Sequence, residues 1–337
     1  MSRDDDERGA SGADGGQTLF ERVVRRALPD ASVASVADAG PSWNRTTRVA
    51  RVTFDHREPV YCKVTPDAET ATELRAEAGT LRYVAANTPV SVPRVVATTR
   101  DPVPGLLTAP VAGDAVSAEW HAEETTTERR ETLARRLGRT LATTHEERFE
   151  RPGTITDGDA DGLAVDHAPW PDVVAADVRE NRRHAETDRF DAAYERLLDA
   201  IESERDRLTD GPARLLHCDP ATPNCFDTGD DRLTLLDWGN AEVGDPARDV
   251  ARARVQALAS LRESPPTNLV EAFHAGYRDV AGSLPDGLGA RGPVYEAVIQ
   301  LGTAGYVERF AEWRTESVAE LTEWFHEDLD RRLSQIE

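Results

Sequence analysis

The chain has 337 residues, of which 39% are hydrophobic and 30% charged. This length exceeds the usual size of one hydrophobic core and predicts two lobes or two small domains. No stretch approaches the roughly 18 consecutive apolar residues of a membrane-spanning helix, and the acidic, Gly-rich residues 1–17 lack the apolar segment of a secretory signal. We therefore expect a cytoplasmic protein with no membrane partner.

The balance of charges disfavours a second class of partner. Lys and Arg together number 40 against 62 Asp and Glu, so the formal net charge is −22. Sequence-independent binding to nucleic acid needs a basic surface, so we expect no nucleic-acid partner. The acidity instead favours a halophilic protein, because a Debye length of about 3 Å at 1 M salt lets carboxylates crowd a surface. The presence of a single lysine, Lys63, is also consistent with a GC-rich genome. An ordinary acidic cytosolic protein is the alternative.

The first third of the chain has the pattern of a small β-rich lobe over residues 18–111. It follows an acidic tail, residues 1–17, that is predicted to be disordered. The predicted elements, in chain order, are a short helix ending before Pro29, a β-hairpin over 47–64, a helix over 66–86 and strands over 93–98 and 105–111.

Residues 112–337 have the pattern of a larger, helical lobe. Leucines at four-residue spacing predict a buried helix face over 129–145, and a Gly/Asp-rich loop is expected over 150–168. A second hairpin is predicted from strands at 214–217, Cys225–Asp227 and 233–237, and helices make up most of the remainder. The predicted fold class is therefore α+β, with a small β-rich N-lobe and a larger helical C-lobe.

The strongest chemical signal is the segment His217-Cys218-Asp219-Pro220-Ala221-Thr222-Pro223-Asn224. An apolar strand delivers the carboxylate of Asp219, and the carboxamide of Asn224 follows in a Pro-bracketed loop. Another apolar strand ends at Asp237, and the predicted hairpin brings Asn224 and Asp237 together. An amide oxygen beside a carboxylate is a pair of hard ligands suited to Mg²⁺. Asp219 would face the group that reacts with a metal-bound phosphate.

This spacing, D-x4-N followed by a strand-borne Asp, is that of the catalytic loop and metal-binding Asp of protein kinases. The runs His217 to Asn224 and Asp237 to Asp249 resemble the aminoglycoside phosphotransferase / choline kinase-like family, whose motifs are H-G-D-x-x-x-x-N and D-W-x-x-A-x-x-G-D-P-x-x-D. The chain departs from the first motif at Cys218, where Gly is usual. The resemblance covers nearly the whole chain after the tail and implies a bilobal, protein-kinase-like fold.

The resemblance also implies a reaction. The γ-phosphoryl group of ATP or GTP would pass, with Mg²⁺, to a hydroxyl group of a small molecule. Asp219 would orient the hydroxyl and accept its proton, and Asn224 and Asp237 would hold Mg²⁺. Catalysis of this kind depends mostly on positioning and charge neutralisation.

The N-lobe would supply the phosphate contacts. Lys63 lies on the strand Val60–Val64, where kinases place the lysine that binds phosphate, and its survival in a sequence dominated by Arg indicates a role that Arg cannot fill. Its expected partner is Glu77, which matches the family's E-x-x-x-L-R pattern, with Glu73 one turn earlier as the alternative. Ser42 is a candidate phosphate contact in the loop over 40–46, although an ordinary turn fits that loop equally well.

Two other functions remain open. A nucleotide-binding pseudokinase with a regulatory role is supported only by Cys218. A protein kinase is disfavoured, because six residues, 238–243, separate Asp237 from Gly244 and leave no room for an activation loop. The identity of the acceptor, the choice between ATP and GTP and the oligomeric state are not readable from the residues.

Three residues of the motifs are expected to be structural. His217 resembles the histidine that holds the family's catalytic loop and is given no role in proton transfer. Asp245 and Asp249 are predicted to cap and anchor a helix that begins near Pro246.

Overall fold

The computed structural model describes residues 11–39, 47–259, 262–312 and 314–336. The chain folds into two compact units. The described residues of the first, here called the sheet unit, lie within Met1–Asn87, Val92–Ala112 and Thr156–Ala164. Those of the second, the helical unit, lie within Thr88–Ser91, Gly113–Ile155 and Val165–Glu337.

The described residues of the sheet unit form a five-stranded antiparallel sheet and two helices. Its elements are α1 (Ser11–Ala27), β1 (Val33–Asp38), β2 (Arg48–Phe54), β3 (Val60–Val64), α2 (Ala68–Asn87), β4 (Val95–Thr99) and β5 (Gly105–Thr108). The strand order is β1-β2-β3-β5-β4. Alternate residues of β3 point to opposite faces, so Cys62 and Val64 enter the core while Lys63 between them does not.

The core of the sheet unit lies between the sheet and α1. Val23 and Val24 of α1 are fully buried and pack against Val52 and Cys62. The helix therefore ends where the sequence predicted, before Pro29, but it begins at Ser11, inside the segment predicted as a disordered tail. Extending a helix costs less than starting one, so the apolar face allows the turns before it to form. Residues 1–10 lie outside the described residues.

The helical unit contains short strands among many helices. Its elements, with the tip of the β7–β8 pair belonging to the sheet unit, are β6 (Asp114–Ala115), α3 (Val116–His121), α4 (Thr127–Thr144), β7 (Gly153–Gly158), β8 (Leu163–His167), α5 (Trp170–His184), α6 (Asp191–Ser203), α7 (Arg205–Thr209), β9 (Arg214–Leu216), β10 (Cys225–Asp227), β11 (Thr234–Leu235), β12 (Glu242–Gly244), α8 (Ala247–Arg252), α9 (Thr267–Ala281), α10 (Leu288–Ala304), α11 (Val307–Ala311) and α12 (Val318–Leu333). The large buried side chains of its core include Tyr194, Tyr295 and Phe325.

Two small sheets hold the catalytic motifs. One has the order β11-β10-β6 and the other β8-β7-β12-β9. The predicted pairing of β10 with β11 is formed, with Cys225 opposite Leu235. The prediction that β9 joins the same hairpin is wrong, because β9 pairs with β12 instead.

The segment 150–168, predicted as a loop, is largely the hairpin β7–β8. Its Asp and Gly residues form the turn between the strands, where a side-chain oxygen of Asp159 accepts the backbone N–H groups of Asp161 and Gly162. Such side-chain-closed turns explain why the composition resembled that of a loop.

The predicted α+β class is confirmed. Within the part of the chain described here, no helix is long and apolar enough to cross a membrane.

Candidate active site

The loop after β9 joins the first two predicted site residues directly. The side-chain nitrogen of Asn224 donates hydrogen bonds to a carboxylate oxygen of Asp219, at 2.9 Å, and to its carbonyl oxygen, at 3.0 Å. Asn224 ends a 3₁₀ turn over Thr222–Asn224, which brings its side chain back toward Asp219. Because the amide nitrogen is committed to Asp219, the amide oxygen is the atom that Asn224 offers to a ligand.

The third predicted residue lies next to this pair. The backbone N–H of Leu236 donates to the carbonyl oxygen of Asn224 at 2.8 Å, and Asp237 follows immediately. Asp237 has a left-handed backbone, with φ of 57°, at the exit of β11. The structure thus brings Asp219, Asn224 and Asp237 to one end of the β10–β11 pair.

This donor set fits a magnesium ion. An amide oxygen and a carboxylate are the hard ligands that Mg²⁺ takes, and it usually completes its shell with water and phosphate oxygens rather than with further protein groups. Among the described residues, no group of three or more His, Cys, Asp or Glu side chains suited to a metal occurs. Asn224 and Asp237 are the residues that would hold the ion.

His217 organises the loop from beneath. Its Nδ1 accepts the backbone N–H of Asp219 at 3.1 Å, so its Nε2 carries the proton and donates to the carbonyl oxygen of Leu236 at 2.8 Å. The ring packs edge-on against Trp238, with 4.6 Å between centroids. Complete burial lowers the pKa of His217 and keeps the ring neutral. The histidine therefore ties Asp219 to the segment after β11 that leads to Asp237.

Asp249 anchors the same loop from α8, which corrects its predicted capping role. Its two carboxylate oxygens accept the backbone N–H groups of His217 and Cys218, each at 2.8 Å, and His145 donates a third bond at 3.1 Å. Burial alone would raise the pKa of Asp249, but these bonds hold it below its usual value. Asp245 lies just before α8, and its carboxylate accepts the N–H of Ala247, the first residue of that helix, at 3.0 Å.

Cys218 occupies the one position where the chain departs from the family's loop motif. Its φ is 58°, a left-handed conformation that L-residues adopt at a cost and glycine adopts freely. The side chain is buried, with Sγ 3.8 Å from a carboxylate oxygen of Glu242. The loop therefore keeps the backbone that glycine favours while carrying a side chain.

A buried charge cluster that the sequence analysis missed surrounds this thiol. Arg248 of α8 donates to the carboxylates of both Glu242 on β12 and Asp177 on α5. Burial raises the pKa of Glu242 to about 8, and the nearby Asp177 adds to the effect. Only the identity of the residues was visible in the sequence; their convergence depends on the pairing of β12 with β9.

Arg252, at the end of α8, was also missed. One nitrogen of its guanidinium lies 3.5 Å from Oδ1 of Asp219, the oxygen that Asn224 does not use. Its Nε donates to the side chain of Gln256 at 2.9 Å. A cation therefore stands beside the predicted base, on the opposite carboxylate oxygen from Asn224.

The remaining predicted residues belong to the sheet unit. The ammonium group of Lys63 on β3 lies 2.8 Å from a carboxylate oxygen of Glu77 on α2, and the Glu77 side chain is 7% exposed. The predicted pairing of these two residues is therefore present. Ser42, the candidate phosphate contact, lies outside the described residues.

Comparison with known proteins defines the class. The fold is similar to the GDP and kanamycin complex of APH(2″)-IIia, with a TM-score of 0.59 and 15% identity over 94% of this chain and 98% of that one. It is similar to macrolide 2′-phosphotransferase MphH from Brachybacterium faecium, with a TM-score of 0.56 and 21% identity over 94% and 98%. A ternary complex of a thermostable mutant of aminoglycoside phosphotransferase APH(4)-Ia with ADP and hygromycin B gives 0.59 and 14% over 94% and 97%.

Sequence comparison then gives the family. A model of the phosphotransferase enzyme family matches residues 40–290, which is most of the chain. No curated protein matches the sequence. The chain belongs to the phosphotransferase enzyme family and has the fold of the aminoglycoside kinases. The predicted family, kinase fold and enzyme class, a phosphotransferase with an alcohol group as acceptor, are confirmed.

Proposed function

We propose that this protein transfers the γ-phosphoryl group of Mg²⁺-bound ATP or GTP to a hydroxyl group of a small molecule in the cytoplasm. The observation that carries the proposal is the arrangement of Asn224. Its amide nitrogen binds Asp219, and its backbone carbonyl oxygen accepts the N–H of Leu236, the residue before Asp237. Asn224 thus links the predicted base, Asp219, to the segment that carries the other predicted metal ligand, Asp237. A phosphoryl-transfer site needs the base and the metal ligands close together.

The roles of the residues follow from their chemistry. Asp219 is held through one carboxylate oxygen by Asn224, and its other oxygen, which Arg252 approaches to 3.5 Å, accepts the hydroxyl proton. Mg²⁺, when bound at Asn224 and Asp237, supplies neutralisation of the phosphate charge. Lys63 binds phosphate oxygens, and Glu77 orients its ammonium group through the 2.8 Å ion pair.

The acceptor is a small molecule rather than a peptide. Only residues 238–243 separate Asp237 from Gly244, and they form a 3₁₀ turn and the start of β12. A peptide platform of the protein-kinase type has no chain available there. The similar structures include complexes with kanamycin and with hygromycin B and a macrolide kinase, which supports a hydroxyl-bearing small molecule as the acceptor class.

A regulatory protein that binds nucleotide without transferring phosphate is the alternative. Its one support was Cys218 in place of glycine. The loop around Cys218 nevertheless keeps the left-handed backbone and both hydrogen bonds to Asp249, which favours an intact catalytic loop.

Phosphorus NMR tests the proposed function. Wild-type protein, incubated with Mg²⁺ and ATP or GTP and a panel of amino alcohols, sugars and aminoglycosides, is expected to give a new phosphomonoester signal. Asp219→Ala should lose turnover by at least about a hundredfold, since general-base catalysis contributes on that order, while nucleotide affinity is kept. A variant that retains the wild-type rate would remove Asp219 as the base. Nucleotide binding without transfer to any compound would favour the regulatory alternative.

A further inference from the structure

The catalytic loop contains no cation of its own. Between His217 and Asn224 the sequence has neither Lys nor Arg. Phosphoryl transfer places negative charge on the moving group, and fixed positive charges aimed at that group give a large part of catalysis. From elsewhere in the fold, Arg252 is a cation that lies beside Asp219 and is placed to supply such a charge on the acceptor side of the site.

The position of Arg252 is set by the helix that also holds the loop. Asp249 and Arg252 are three residues apart on α8, so they share one face of the helix. Asp249 binds the backbone of the loop, and Arg252 meets the side chain of Asp219. A π-helical turn over Ala253–Leu258 follows and supplies Gln256, which accepts a hydrogen bond from Nε of Arg252. Gln256 thus holds the guanidinium on one side, and Asp219 faces it on the other.

The contact between Arg252 and Asp219 is loose. At 3.5 Å it is longer than a good hydrogen bond, whereas Asn224 binds the same carboxylate at 2.9 Å. A guanidinium has five N–H donors, and Arg252 uses one of them on Gln256. The side chains of Arg252 and Asp219 are 21% and 23% exposed, so a ligand can reach the donors that remain.

We infer that Arg252 is a further catalytic residue, which donates hydrogen bonds to oxygens of the transferring phosphoryl group. The inference rests on the proposed function. The acceptor oxygen forms its bond to the γ-phosphorus as the bond from that phosphorus to the β-phosphate oxygen breaks. The hydroxyl proton passes to Asp219, the nucleoside diphosphate leaves, and Arg252 stays protonated throughout.

The oxygen that Arg252 binds could instead belong to an acidic group on the acceptor. A binding experiment without acceptor distinguishes this acidic group from the transferring phosphoryl group. Dissociation constants for Mg²⁺-ADP are measured with and without aluminium fluoride, which mimics the transferring group, in wild type and in two variants. Arg252→Gln removes the cation. Arg254→Gln is the matched control, because Arg254 lies two residues further on and pairs with Glu296 at 3.3 Å.

The expected result is specific to the phosphoryl mimic. Aluminium fluoride should tighten Mg²⁺-ADP binding in wild type and Arg254→Gln, and Arg252→Gln should lose about a hundredfold of that gain with Mg²⁺-ADP affinity unchanged. Arg252→Lys, which keeps a charge, should recover part of the gain. Unfolding curves without ligand verify that each variant is folded.

Two results would overturn the inference. In the first, Arg252→Gln keeps the full tightening of Mg²⁺-ADP binding by aluminium fluoride, which would favour an acidic acceptor as the ligand of Arg252. In the second, aluminium fluoride does not tighten Mg²⁺-ADP binding in wild type. Failure of wild type to bind Mg²⁺-ADP at all would instead remove the proposed function, and with it the premise of the inference.

Discussion

Cys218 shows how a residue outside the family's usual motif is accommodated. A left-handed backbone costs an L-residue about 1–2 kcal/mol relative to the ordinary helical region. At Cys218 this conformation accompanies two hydrogen bonds to Asp249, which accepts the backbone N–H groups of His217 and Cys218. The loop is therefore determined by its anchors, and the identity of the residue in the turn affects stability more than shape.

The left-handed backbone at Cys218 reverses the usual order of stability of alanine and glycine variants. Both Cys218→Ala and Cys218→Gly remove the buried sulfur, but only glycine also removes the backbone strain. We expect Cys218→Gly to be more stable than Cys218→Ala by about 1 kcal/mol. Urea unfolding of the two variants measures the difference. A glycine variant less stable than the alanine variant would show that the left-handed turn carries no strain.

Burial raises the pKa of Glu242 above the usual range of a glutamate. Two carboxylates, Glu242 and Asp177, share the single cation Arg248 in a buried place, so a second negative charge there is unfavourable. Burial first, and the charge of the nearby Asp177 second, together raise the pKa of Glu242 to about 8. This group couples the stability of the loop's surroundings to pH.

The sign of that coupling gives a second prediction. Between about pH 5 and 8 the folded chain keeps a proton on Glu242 that the unfolded chain releases, so this group's contribution to stability falls as pH rises. Glu242→Gln mimics the protonated form and should flatten the pH dependence of the free energy of unfolding across that window. Urea unfolding at several pH values measures it. Parallel curves for wild type and variant would contradict the raised pKa.

At the scale of elements, α2 is held by the tip of the β7–β8 hairpin. Gly79 of α2 packs so closely that a Cβ there would lie 2.4 Å from the backbone nitrogen of Gly158. Asn87, at the end of α2, donates to the carbonyl oxygen of Ala160 at 2.9 Å. Because Glu77 is two residues before Gly79, the position of the hairpin tip bears on the Lys63–Glu77 pair.

Gly79→Ala tests this packing. In an open helix the change would stabilise by about 1 kcal/mol, but here the added carbon meets backbone and should destabilise by about 1–3 kcal/mol. We also expect weaker nucleotide binding, as Glu77 moves with the helix. Gly162→Ala is the control, since a Cβ there has nothing within 4 Å. Equal unfolding free energies for the two variants would refute the close contact.

The sequence predicted the elements whose pattern lies within one segment. It did not predict the elements that depend on pairing between segments far apart in the chain. The β2–β3 hairpin and α4 follow from alternation and from leucine spacing within one segment. The strand β9 was placed in the wrong sheet, because its partner β12 lies beyond another strand pair and offers only three residues of pattern. The hairpin β7–β8 was missed for a related reason, since its Asp- and Gly-rich turn outweighed two short strands.

At the scale of the whole molecule, the site also contains residues that the sequence predicted and residues that it did not. Asp219, Asn224 and Asp237 were identified together because their spacing along the chain is itself the motif. Arg252 and Glu242 were not, since each reaches the loop through tertiary packing of α8 or β12. Adaptation to a salt-rich cytoplasm, inferred from the net charge of −22, stays a prediction.

Thermal unfolding in concentrated KCl is the measurement that tests the central claim most directly. Mg²⁺-ATP at about a hundred times its dissociation constant should raise the free energy of unfolding of wild type by about 2.7 kcal/mol. The rise should shrink in Asp237→Ala and persist in Asp206→Ala, which removes an exposed carboxylate of α7. An equal rise in Asp237→Ala would remove the residue as a metal ligand. No rise in wild type with either ATP or GTP would contradict the proposed phosphoryl transfer from these nucleotides.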